Sequence, residues 1–99
     1  MTVAEFCTAV AQIGQKYRGS VTSWGRSVKH SIAVGGFDGD PHTWWLGADM
    51  IYDNTPPINN LNDDAARLGL KVIHEGSHDH YQPSGWVNHP HTEATSHAS

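Results

Sequence analysis

Cysteine is nearly absent from this 99-residue chain, where Cys7 stands alone. An internal disulfide is therefore excluded, as is a thiolate zinc site, so any bound metal must be held by nitrogen and oxygen. Positive charge is also scarce. Six Lys and Arg against ten Asp and Glu leave a formal charge of −4, the wrong sign for a nucleic-acid partner, which calls for a basic face. No apolar run approaches the roughly 20 residues that span a bilayer, which argues against a membrane partner. The amino terminus has neither the basic n-region nor the apolar h-region of a secretory signal peptide. A protein made in the cytoplasm is expected, with any export by another route. The hydrophobic fraction of 37% is enough for one thin core, and at this size a metal linking distant segments would help hold it.

Local patterns predict one domain over residues 1–91 and a loose, polar tail over 92–99. Thr2-Val3-Ala4-Glu5 has the form of a capping box, with Thr2 as N-cap and Glu5 reaching back. Val3, Phe6, Cys7, Val10 and Ile13 then recur at helical spacing, which predicts an amphipathic helix over 3–16 with Cys7 in the core. Val21 to Trp24 is β-rich, residues 26–33 suit a short helix ended by Gly35-Gly36, and 37–41 carry turn chemistry. A strand is expected over 46–52. A helix follows over 61–68, capped by Asn60 and stopped by Gly69. Strands are then expected over 70–74 and 78–82, with a bend at Gly76-Ser77. This order points to an α+β fold: a small antiparallel sheet flanked by two or three helices.

Histidine, by contrast, is plentiful, with eight in the chain. His42 and Asp49 stand seven apart, and Glu75-Gly76-Ser77-His78-Asp79-His80 places a carboxylate just before a His-x-His pair. Hydrolytic zinc sites take three ligands from His, Asp and Glu and leave a fourth position for water, beside a carboxylate that accepts its proton. The two clusters hold groups enough for all of these roles. Two histidines two apart on a strand would share one face. Trp44 and Trp45 are expected to pack in the core and at its rim. His30, His74, His89, His91 and His97 are expected in solvent or, at most, behind the ligands.

At these residues the chain resembles the small phage and prophage zinc D-Ala-D-Ala carboxypeptidases and L-alanyl-D-glutamate endopeptidases. Their superfamily also contains lysostaphin-type peptidases and the hedgehog domain. The resemblance spans roughly residues 20–83. It is carried by Thr22-Ser23-Trp24-Gly25-Arg26-Ser27, Val34-Gly35-Gly36, His42 to Asp49, Leu68-Gly69-Leu70 and Glu75 to Gln82. It implies a sheet carrying a zinc site, with His42 and Asp49 as the first two ligands and the third drawn from the His-x-His pair. In one assignment His80 binds the metal and His78 assists the reacting group. In the other, His78 binds it and lies the usual three residues after the base. Glu75 is the base in both, and Arg26 matches the family's arginine for an oxyanion or a substrate carboxylate. The family pattern has Ser two before the first His and Gly three after it, where this chain has Asp40 and Trp45.

The implied activity is zinc-dependent hydrolysis of peptidoglycan stem peptides by a monomer. Such an enzyme would reach the cell wall through a holin-type pore or from a virion. A non-catalytic, hedgehog-like zinc module is the main alternative, and a metal-dependent nuclease is disfavoured by the acidic charge.

Overall fold

The computed structural model describes residues 1–91. The tail expected over 92–99, with His97, lies outside the described residues. Helix α1 runs Val3–Tyr17 and begins as its sequence implies. Thr2 Oγ1 accepts from the Glu5 N–H at 3.0 Å, and Glu5 Oε1 accepts from the Thr2 N–H at 2.8 Å, so two otherwise orphan donors are satisfied. Phe6, Ala9, Val10 and Ile13 form the buried stripe. Cys7, expected in the core, is exposed instead. The buried face centres between Phe6 and Val10 and takes Ala9 on one shoulder, which turns Cys7 and Val3 outward.

Strand β1 (Gly19–Ser23) is followed by helix α2 (Val28–Ala33), capped by Ser27, and by a 3-10 turn over Pro41–Trp44. Strand β2 (Ala48–Tyr52) precedes helix α3 (Ile58–Arg67), and strands β3 (Leu70–His74) and β4 (Asp79–Pro83) end the ordered sequence of elements. The N-cap of α3 is Pro57 and not Asn60. Its fixed φ suits a helix entrance, so the helix starts three residues ahead of the expected boundary. His78 precedes β4 instead of opening it. Gly76 adopts φ 84 and the Glu75 N–H donates to the His78 carbonyl at 3.0 Å, which closes a tight turn before the strand begins.

The four strands form one antiparallel sheet in the order β1-β2-β4-β3. One sheet face carries Ala48, Met50, Leu70 and Tyr81 into a core shared with Phe6, Val10 and Ile13 of α1 and with Leu61 and Ala65 of α3. Fully burying each large apolar side chain there stabilises the fold by roughly 1.5–3 kcal/mol. Because strand side chains alternate, Asp49 and His80 point to the opposite face. The core thus fixes which face can carry chemistry. Among the described residues, no helix is long and apolar enough to cross a membrane.

Candidate metal centre

Asp49 on β2 and His80 on β4 are direct partners in the antiparallel register. His80 Nδ1 lies 3.2 Å from Asp49 Oδ1, and His42 Nε2 approaches the same oxygen at 3.4 Å. Ligand atoms of the three residues all lie within 4.8 Å of one another. Tetrahedral bonds of 2.0–2.2 Å would hold ligand atoms roughly 3.4 Å apart, which matches the two short separations. The group can hold a metal ion.

His42 reaches the sheet from the 3-10 turn, and the turn is pinned by Asp40. The Asp40 carboxylate accepts from the N–H groups of Thr43 and Phe37, each at 3.3 Å, and from the buried hydroxyl of Ser31. Burial works against ionisation of Asp40, but these donors prevail and hold its carboxyl below the ordinary range. Asp40 therefore does structural work as the cap. Trp45 ends the turn at φ 60, a left-handed conformation that glycine reaches more freely than a residue with a side chain. Trp45 lies against Gly25, where any Cβ would overlap its ring.

The ring nitrogens that face away from the group are held as well. His42 Nδ1 meets the carbonyl of Trp24, and His80 Nε2 lies 2.8 Å from Gln82 Oε1. Donation of N–H to these oxygens would leave His42 Nε2 and His80 Nδ1 to offer lone pairs to a metal once the protons they share with Asp49 are displaced, the arrangement that orients histidine ligands. Burial opposes ionisation of Asp49 as well, yet hydrogen bonds from His42 and His80 outweigh it and keep the carboxyl well below its usual range. For His80, burial disfavours the cation, while Asp49, Gln82 and the charge of Glu75 outweigh it and raise the imidazole pKa.

Around the group lies an open cleft of about 530 Å3, lined in part by Arg26, Glu75, His78 and Gln82. His78 Nε2 stands 3.6 Å from Glu75 Oε2 and 4.0 Å from Asp49 Oδ2, and its Nδ1 is 3.0 Å from Ser77 Oγ. Of the His-x-His pair, then, His80 joins His42 and Asp49, and His78 stands beside them with Glu75. The Arg26 N–H donates to the His42 carbonyl at 3.0 Å, and its buried Nε has no hydrogen-bond partner among the described residues.

Other contacts of the turn that carries His42 were not legible in the spacing. Trp44 stacks on His91 with ring centroids 3.8 Å apart, and its indole N–H donates to the His89 carbonyl at 2.9 Å. The His91 N–H donates to Asp38 at 2.9 Å, and its Nε2 lies 3.0 Å from the Thr43 carbonyl. His91 is thus an anchor that ties the segment after β4 to the turn carrying His42. That segment contributes Trp86 and Asn88 to one cleft wall. Comparisons with protein-family models, with curated proteins and with solved structures gave no match.

Proposed function

We propose that this protein is a zinc-dependent peptidase that hydrolyses peptidoglycan stem peptides. One observation carries the reading. His42, Asp49 and His80 converge on the side of the sheet away from the core, with the Glu75–His78 pair beside them in an open cleft. Two imidazoles and a carboxylate form a nitrogen–oxygen donor set suited to zinc. The substrate class comes from the resemblance of residues 20–83 to the stem-peptide hydrolases.

Zinc, when bound, supplies Lewis acidity toward water and toward the peptide carbonyl. Glu75 accepts a proton from the attacking water as the new carbon–oxygen bond forms. It then delivers that proton to the amine as the carbon–nitrogen bond breaks. Arg26 and His78 donate hydrogen bonds to the tetrahedral oxyanion, a contribution of roughly 3–4 kcal/mol for each well-placed donor. In this reading the protein is a monomer that acts on the cell wall after release through a holin-type pore or from a virion.

The test is digestion of purified peptidoglycan by metal-free and zinc-loaded protein, with products identified by mass spectrometry. New amino groups and peptide fragments only with zinc are expected. Stoichiometric zinc binding with no new amino groups would overturn the peptidase and leave a non-catalytic zinc module.

A further inference from the structure

A second pocket, of about 330 Å3, opens where β2, the start of α3 and the turn before β4 meet. Its lining includes His78, which also lines the cleft of the metal group. Both spaces therefore open beside His78, with Met50 and Asp79 on the core face of the sheet and Asp49 and His80 on the other, so a peptide that passes round the end of the sheet at His78 would reach both. The pocket has two chemical parts. Met50, Ile51, Ile58 and Leu61 give it apolar walls, and Ile51 and Ile58 remain 45% and 54% exposed. Asp79 supplies a carboxylate at the inner end, accepting from the Tyr52 hydroxyl at 2.7 Å and standing 2.8 Å from His74 Nδ1.

Those two contacts use one acceptor position on each oxygen, and a carboxylate offers about four in all. His74 in turn reaches Asn62 Oδ1 at 3.1 Å, so the inner end is rigidly built. The Tyr52 phenol, pushed far above its ordinary pKa by burial and by Tyr81 and Asp79, stays a neutral donor. Neither Lys nor Arg lines the pocket among the described residues. An apolar passage ending in a carboxylate complements a long methylene chain with a cationic tip.

We propose that this pocket is a substrate subsite for an aliphatic side chain ending in a primary ammonium, such as that of lysine or another diamino-acid residue. The inference rests on the peptidase reading for its substrate, and the following experiment separates the two. Zinc-loaded protein is given peptides that differ only at a residue flanking the scissile bond, each side varied in turn. That residue is lysine, norleucine, Nε-acetyllysine or glutamate.

On one side of the bond, kcat/KM for lysine is expected to exceed that for norleucine by about tenfold, the size of one charge-assisted hydrogen bond. Acetyllysine and glutamate fall below lysine as well. Asp79→Asn should bring the lysine-to-norleucine ratio close to one. Should that variant fail to fold, Ile58→Lys places a cation at the exposed mouth and should collapse the same ratio. Equal kcat/KM for lysine and norleucine on both sides would overturn the subsite and leave the peptidase intact. If no peptide is cleaved, zinc-loaded Glu75→Ala protein is titrated with the same peptides by NMR. Preferential binding of the lysine peptide then upholds the subsite without the peptidase, and equal binding overturns it.

Discussion

His80 and Asp49 face each other across the β2–β4 pairing, with His80 Nδ1 3.2 Å from Asp49 Oδ1. A backbone register, set by core packing on the other sheet face, thus places a nitrogen donor beside an oxygen donor. His42 completes the group from a turn that Asp40 holds in place. Most of the ordering cost of the site is therefore met by the fold itself, which is the condition for tight binding by a small domain.

Metal affinity should depend on residues behind the ligands as well as on the ligands. Gln82→Ala removes the acceptor that orients His80, and a loss of roughly 10–100-fold in zinc affinity is expected. His80→Ala should lose more, and His78→Ala less. Competition titration with a chromophoric chelator measures all three, and His78→Ala giving the largest loss would reverse the assignment of the third ligand.

Glu75→Ala should separate binding from turnover. The carboxylate lies beside His78 and outside the group of three, so zinc stoichiometry should be unchanged. Hydrolysis should fall by roughly 10²–10⁴-fold with loss of the general base. Loss of the metal in this variant, read by elemental mass spectrometry, would make Glu75 a ligand instead.

The stability of the metal-free form and the stabilisation that zinc adds should change with pH in opposite senses. The Asp49 carboxyl lies below its ordinary value of 3.8, so its contribution to stability is present above that pH and fades on acidification through the lowered pKa. The His80 imidazole lies above its ordinary value of 6.5. Its contribution is complete below 6.5 and is lost as pH rises through the raised pKa. Chelator-treated protein should therefore melt at a lower temperature at pH 8 than at pH 6. Zinc competes with the His80 proton, so the gain in melting temperature on adding zinc should be larger at pH 8. Calorimetric scans across this range decide it, and an equal gain at both values would count against His80 as a ligand.

The capping role of Asp40 should show in stability. Asp40→Ala removes the acceptor for two backbone N–H groups and for the buried Ser31 hydroxyl. A loss of roughly 2–3 kcal/mol in unfolding free energy is expected, together with weaker zinc binding as the turn carrying His42 loosens. Urea titration of the metal-free variant measures the first effect. A change within 0.5 kcal/mol, roughly what an ordinary surface substitution causes, would show that the turn stands without its cap.

Much of this was legible in order along the chain. The Thr2–Glu5 box announced α1, the β-branched and aromatic runs marked the strands, and His42, Asp49, Glu75, His78 and His80 stood out by type and spacing. Periodicity was a poorer guide to Cys7, because one residue is 100° of helix and a small shift in the buried face carries a side chain from core to surface. It was a poorer guide to α3 too, where Pro57 and not Asn60 makes the entrance. Trp44 and His91 are far apart in the chain, and nothing local signals their stacking.

Residue types and their spacing by themselves determined the chemical class of the donor set, nitrogen and oxygen with a carboxylate near at hand. They also determined the α+β character, since those properties are local. Only the tertiary structure decided that His80 pairs with Asp49 while His78 stands with Glu75. It alone gave the sheet its β1-β2-β4-β3 order and turned Trp24 and Gln82 toward the far nitrogens of His42 and His80. The reason is physical: pairing register and ring orientation are set by which face the core claims and by partners distant in the chain, and a window of neighbouring residues contains neither.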